Sequence, residues 1–237
     1  MSRPCLIASL APASPSDLPP DGADRVTPAD LVEVRLDAVE GDSDAAVAVC
    51  RSVAGWGRPL LITPRSAGEG GMRDWSEVER RAALSKVWET LPIAYVDVEL
   101  RDSPGLLEWV LAERPEGVEA IASFHDFAGF PGEGLLEALA LEAVAKGAEH
   151  FKAAVRVDDL DQMARLACWT RSQSLTQSVL TMAMGPAGTL SRLMSGAFGS
   201  WATYGHIATA TAPGQLGVGE LAELMDRFYP PEGEGEA

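Results

Sequence analysis

Lysine, cysteine and histidine are scarce in this sequence. It holds three of each: Lys86, Lys146 and Lys152; Cys5, Cys50 and Cys168; His125, His150 and His206. The cysteines are odd in number, widely spaced and free of any CxxC, so a disulfide framework or a zinc site is not expected. They read as reduced thiols of a cytosolic protein. Basic residues are few overall. The chain carries 19 Lys+Arg against 35 Asp+Glu, a formal charge of −16. A surface this acidic repels phosphate backbones and anionic lipid, so neither nucleic acid nor a membrane surface is expected as a partner. No GxGxxG follows the first apolar run and no GxxxxGK[ST] occurs, which excludes the two common phosphate-cradling loops. Long apolar runs are missing too. Residues 1–11 read as a buried strand rather than a signal peptide. The uncharged stretch 193–219 is broken by glycine, serine, threonine and Pro213, so it is no membrane helix.

What remains is a chain of 237 residues, 46% hydrophobic and 23% charged, which suffices for a full core. Residues 1–229 are expected to form one catalytic domain. The acidic end, 230–237, is expected to be a disordered tail. Short β-rich runs recur at 5–10, 31–36, 59–63, 93–100, 120–124, 151–155, 178–184 and 205–210. Most are nearly continuous in apolar residues, as buried parallel strands are. Helical patterns lie between them. Ser43, Ser76, Ser103-Pro104, Gly134, Asp158-Asp159, Gly188 and Gly219 are their expected openings. Eight strands alternating with helices over about 240 residues imply a closed (β/α)₈ barrel, for which about 250 residues is typical. An open doubly wound sheet is the structural alternative. The first crossover carries prolines 12, 15, 19, 20 and 28, so it is expected to be mostly loop, with at best one turn at 28–30.

Barrel enzymes keep their chemistry at the C-terminal ends of the strands, and alternate residues of a strand face the lumen. That rule groups Glu33 with Arg35 and Asp37, Thr63 with Arg65, Asp97 with Glu99, and Ser123 with His125. It also sets Lys152 alone on an apolar strand. Helices cover the outside of such a barrel, so the polar side of these strands must face inward. A lysine buried near two arginines favours its neutral, nucleophilic amine. Lys152 then suits imine formation with a carbonyl substrate, and His125 can move the protons that this requires. The arginines call for an anionic group on the substrate.

These residues, taken with their neighbours, resemble a family. Glu33-Val-Arg-Leu-Asp37, Thr63-Pro-Arg-Ser-Ala-Gly-Glu-Gly-Gly71, Ser123-Phe-His-Asp-Phe127, Phe151-Lys152, Thr181-Met-Ala-Met-Gly185, Ser191-Arg192, Phe198-Gly-Ser200 and Ala212-Pro-Gly-Gln215 resemble, in order, the motifs of type I 3-dehydroquinate dehydratase. Any one motif is weak, and the ordered set is specific. The resemblance implies a cytosolic shikimate-pathway lyase, often a homodimer, with no metal and no cofactor. Its substrate would be the small molecule 3-dehydroquinate. It implies Lys152 as the imine-forming lysine, His125 as general acid/base and Glu69 as the carboxylate that orients His125. It implies Arg192 as the clamp on the substrate carboxylate, and Glu33, Arg35 and Arg65 as the polar group around the ring hydroxyls. Gln215 and Thr211 would belong to a lid, and Met182 and Met184 to an apolar wall. Ser9, Phe127 and Tyr204 complete the implied substrate-binding set. The chain departs from the pattern in places. It lacks the N-terminal hairpin that closes the barrel floor in some members, Thr211 replaces a usual serine, and Tyr204 stands where phenylalanine is common.

Trp75, Trp88, Trp109 and Trp169 fall in expected helical segments and read as core or dimer residues. Asp97 and Glu99 read as counter-charges to the arginines. Two rivals to a dehydratase remain at this stage. An aldolase-like Schiff-base barrel would keep Lys152 but needs no clamp and lid together. A non-catalytic sensor should have lost Lys152 or His125, and both are present.

Overall fold

In the computed structural model, residues 3–185, 188–210 and 214–229 are described. Eight parallel strands alternate with helices around one lumen. The strands are β1 (Cys5–Leu10), β2 (Leu31–Arg35), β3 (Leu60–Thr63), β4 (Tyr95–Glu99), β5 (Glu119–Asp126), β6 (His150–Arg156), β7 (Ser178–Met184) and β8 (Ala202–His206). Their order is β7-β6-β5-β4-β3-β2-β1-β8, so the ladder runs around the barrel and stops between β7 and β8. Single bonds stitch that seam. Trp201 N donates to Val179 O at 3.0 Å. Ser200 Oγ accepts from Thr181 N at 3.1 Å and donates to Ala202 O at 2.9 Å. The fold is a (β/α)₈ barrel.

Alternation along the strands divides the apolar residues between two cores. Outward positions such as Val32, Val34, Val96, Val98 and Ala153 pack against the helices. Inward positions Ile7, Leu31, Leu61, Ile121, Leu180 and Ala202 fill the lower lumen. Above that apolar layer the inward side chains become polar. The barrel is therefore a filled floor beneath a charged bowl.

The floor is closed by side chains. Tyr95 and Trp201 stack at 5.7 Å, and His150 lies 4.5 Å from the Trp201 ring. His150 is fixed from both sides, with Ser178 Oγ 2.7 Å from Nδ1 and Glu119 Oε2 2.6 Å from Nε2.

The outer helices are α2 (Ser43–Ala54), α3 (Glu77–Thr90), α4 (Pro104–Glu113), α5 (Glu133–Lys146), α6 (Leu160–Gln173), α7 (Gly188–Met194) and α8 (Val218–Phe228). Where the helix α1 of the first crossover should stand, one turn forms at Gly22–Arg25, after a 3-10 turn at Pro15–Asp17. The single turn expected at 28–30 is therefore displaced. Ser76 caps α3 with a reciprocal capping box to Glu79, as its spacing predicts. Elsewhere the boundaries move. Asp42 caps α2 in place of Ser43, because its carboxylate accepts from Asp44 N and Ala45 N. Gly132 precedes α5, and Gly217 precedes α8.

The eighth strand, expected at 205–210, is Ala202–His206. Cys5 to Ser9 of β1 pair with Ala202 to His206. Ile207 N still donates to Ser9 O at 3.3 Å, but β1 ends at Leu10, so the run beyond Ile207 has no further strand to join. Trp75 is not helical either. It is buried in a loop, donates Nε1 to Arg65 O at 3.1 Å, and lies beneath the Arg73 guanidinium. Thr211 and the tail 230–237 lie outside the described residues.

Candidate active site

Residues of five strands, β2, β5, β6, β7 and β8, together with α7 and the loops after β3, β5 and β8, line a cavity of about 130 Å³ at the C-terminal mouth of the barrel. Its wall contains Lys152, His125, Glu69, Glu33, Arg35, Arg65 and Arg192, together with Gln215, Phe127, Tyr204, Met182 and Met184. A larger apolar groove between α6 and α7 lies outside the barrel, and Cys168 is the single titratable group on its wall. The titratable side chains that the strand ends bring together line the smaller cavity. Among the described residues no cluster of His, Cys, Asp or Glu could hold a metal ion.

Lys152 is 3% exposed, and its Nζ donates to Asp97 Oδ2 at 2.8 Å and to Tyr204 Oη at 3.1 Å. This changes the reading of Lys152 as a lysine set among arginines. A carboxylate touches it directly. Asp97 does more than balance arginines: its Oδ1 also accepts from Arg65 at 2.8 Å and from Ser123 Oγ at 2.6 Å. Burial alone would raise the Asp97 carboxyl, but the charges of Arg65 and Lys152 outweigh it and hold the group far below the ordinary carboxylate range.

The layer beneath is a lattice of ion pairs. Arg65 reaches Glu99 Oε1 at 2.8 Å and Ser123 Oγ at 2.7 Å with its second nitrogen. Glu99 is also bound by Arg80, which comes in from α3 and donates to Pro64 O and to Ser103 as well. Glu33 accepts from Ser9 Oγ and from Thr63 Oγ1 at 2.8 Å. Lys152, Arg65 and Arg80 thus face Glu33, Asp97 and Glu99, three cations against three anions, all buried. An unmatched charge here would cost several kcal/mol, so the balance is what permits the lattice. Arg80 was not legible as a site residue, because its helix shows only an ordinary run of charge. The one available signal was an arginine on the covered face of α3.

His125 closes β5, and its position depends on Glu69. The turn Ala67–Glu69 is capped by Ser66 Oγ and ends at Gly70 with φ +87°. That left-handed residue turns its carbonyl toward Arg35, which donates at 3.2 Å. A side chain at Gly70 would collide with the Phe127 ring, whose Cζ lies 2.7 Å from the place a Cβ would take. Glu69 Oε2 consequently faces β5, accepting from His125 N at 2.8 Å and meeting His125 Nδ1 at 2.9 Å. Burial pushes the Glu69 carboxyl up to about 8 even though Arg65 pulls it back. Burial and the charges of Arg65 and Lys152 hold the His125 imidazole well below its ordinary value. A neutral ring bound through Nδ1 leaves Nε2 for the cavity.

Arg35 forms a fork on Asp37 at 2.8 and 2.7 Å, so only part of it serves the cavity. Ser9 stands one step back, behind Glu33. Arg192 is 1% exposed and donates Nε to Gly214 O at 3.1 Å, which ties α7 to the loop after β8. Burial lowers its guanidinium to about 10, which leaves it cationic at neutral pH. Gln215, also buried, follows in that same loop.

The model of one family, Type I 3-dehydroquinase, matches residues 21–229. The chain belongs to the type I 3-dehydroquinase family. Membership makes it a lyase of the dehydroquinate dehydratase class. It is 33% identical over 218 residues to the 3-dehydroquinate dehydratase of Albidiferax ferrireducens, covering 87% of this chain and 81% of that one. The Shouchella clausii 3-dehydroquinate dehydratase is 37% identical over 174 residues, covering 72% and 68%. The crystal structure of the Geobacillus kaustophilus 3-dehydroquinate dehydratase superposes with a TM-score of 0.86 at 27% identity, covering 96% of this chain and 92% of that one.

Proposed function

We propose that the chain removes water from 3-dehydroquinate to give 3-dehydroshikimate, working through an imine on Lys152. One observation carries this reading: the single buried lysine and a histidine bound through Nδ1 share a small cavity with a buried arginine. Lys152 Nζ attacks the substrate ketone and, as water leaves, becomes an iminium. That group withdraws electrons and acidifies the neighbouring C–H. His125 Nε2 takes the proton, the enamine expels the β-hydroxyl, and the proton on His125 goes to the departing oxygen. Water then returns to the iminium carbon and frees the lysine. One base serving both proton transfers implies a syn elimination.

The remaining residues bind and orient. Arg192 takes the substrate carboxylate, best in a bidentate pair, with Gln215 beside it. Glu33, Arg35 and Arg65 meet ring hydroxyls, and Met182, Met184 and Phe127 supply an apolar wall. This mechanism calls on no cofactor. No helix among the described residues is long and apolar enough to cross a membrane. The reading includes a cytoplasmic homodimer that binds no nucleic acid, with residues 1–229 as the catalytic domain.

Borohydride trapping tests it. Substrate with borohydride should inactivate the enzyme irreversibly and place the added mass on Lys152, leaving Lys86 and Lys146 unmodified. Full activity after treatment, or mass at another residue, would falsify the imine.

A further inference from the structure

Tyr204 enters the lumen from β8, beside Ile7 of β1. Its ring lies under the Lys152 ammonium, with Nζ 4.4 Å from the centroid, and its hydroxyl accepts from the same nitrogen at 3.1 Å. Asp97 holds Nζ from another side at 2.8 Å. The nitrogen is therefore gripped between a carboxylate and a phenol. The phenol is 4% exposed and opens only onto the cavity. A phenolic hydroxyl can accept and donate at once. Among the described residues Tyr204 Oη accepts from Lys152 and finds no protein acceptor for its own proton. That proton is left to whatever occupies the cavity.

We propose that the Tyr204 hydroxyl is a catalytic proton relay for the carbon–nitrogen bond at Lys152, distinct from the proton transfers of His125. The inference rests on the imine reading given above. Before Nζ can bond to the ketone carbon the ammonium must lose one proton, and the ketone oxygen must gain one. Tyr204 Oη takes the proton from nitrogen and passes its own to that oxygen as the C–N bond forms. The result is a carbinolamine whose nitrogen keeps the positive charge the ammonium brought, and an unchanged tyrosine. Run backwards, the same relay returns the proton to nitrogen as the carbinolamine collapses to ketone and ammonium on product release. Burial, with Glu33 and Asp97 nearby, keeps the phenol protonated far above its ordinary range. A relay suits such a group because it never becomes an anion, whereas a stand-alone acid would have to.

The variant is Tyr204→Phe, which keeps the ring under the lysine and removes one oxygen. Enzyme mixed with substrate is quenched with borohydride at increasing times, and the adduct on Lys152 is measured by mass. The rate constant for adduct formation should fall roughly 10²-fold, the lower end for a positioned acid–base group. A substrate analogue with a hydroxyl in place of the ketone cannot form an imine, so its affinity should change less than twofold. An unchanged adduct rate overturns the relay. A loss of analogue affinity as large as the loss of rate also overturns it, because Tyr204 would then only shape the pocket. Wild-type enzyme that forms no adduct brings down the imine reading and the relay with it. A wild-type adduct with an indifferent Tyr204→Phe removes the relay alone.

Discussion

His125 and Glu69 form a unit in which the place of one proton decides function. For Nε2 to act as a base, Nδ1 must carry the proton and Glu69 must be ionised to hold it. Burial pushes Glu69 up to about 8, so this form is lost as the pH falls through that value. kcat/KM should accordingly decline below about pH 8. In Glu69→Gln the decline should move well downward, to the lowered range of His125, with a smaller loss of plateau rate than in His125→Ala. On the proposed mechanism His125 serves several steps, so its removal should cost more than the ~10²–10⁴ usual for one acid–base group. A pH–rate profile of Glu69→Gln whose limb stays in place would show that Glu69 is not the titrating member. At this scale strand alternation is enough to group Glu33, Arg35, Arg65, His125 and Lys152, since residues two apart on a covered strand must share the lumen. Glu69, Arg192 and Gln215 lie in loops or on a helix, where alternation carries no signal, and only the family motifs point to them. The lysine's counter-ion was hidden for another reason: Asp97 is adjacent to Lys152 across the barrel and not along the chain.

Helix α3 shows what an element adds that a strand pattern hides. Its Arg80 is 3% exposed and ties the end of β3, through Pro64 O, to Glu99 of β4 and to the Ser103 cap of α4. Glu99 in turn holds Arg65 and the Ser66 N–H, and Ser66 caps the turn that carries Glu69. Arg80 thus positions the catalytic loop without touching the cavity. Its replacement leaves a buried carboxylate short of a cation, a change that typically costs about 3–5 kcal/mol. In a chain of this size that corresponds to a melting point lower by roughly 10 °C for Arg80→Ala. Arg80→Lys should recover only part of this, because an ammonium cannot reach three partners with a fixed fork. Thermal melts would settle the stability, and kcat at a temperature where both variants are folded would report the loop. Melting and turnover equal to wild type would exclude this role. The helices and most strands were foreseen because period and caps are local signals. The eighth strand starts three residues ahead of its apolar run because pairing with β1 begins at Cys5 opposite Ala202, a register that no local pattern carries.

The whole molecule is strongly acidic outside and balanced within, and these two features separate on titration. The exposed carboxylates stand in water and contribute little to stability through their pairs. Asp97 is different. Its folded value is depressed below the ordinary 3.8, so its stabilisation is complete above that value. It is lost as the pH falls below about 4 and the unfolded chain takes a proton that the folded one refuses. Glu69 works in the opposite sense. Its value rises from 4.5 to about 8 on folding, so its contribution fades as the pH climbs through that window. His125, depressed from 6.5, gains stability as the pH rises toward 6.5 and so offsets Glu69 below that point. The curve of melting temperature against pH should therefore be broad between about 4.5 and 6.5, decline gently toward 8 and fall steeply under 4. Asp97→Asn should lower the plateau, because Arg65 and Lys152 lose their shared counter-charge, and should flatten the acid fall, because an amide has no proton to gain. Glu69→Gln should remove the gentle decline and, with His125 no longer offset, turn the flat region below 6.5 into a rise with pH. An acid limb as steep in Asp97→Asn as in wild type would place the acid sensitivity on other carboxylates and not in the barrel's charged layer.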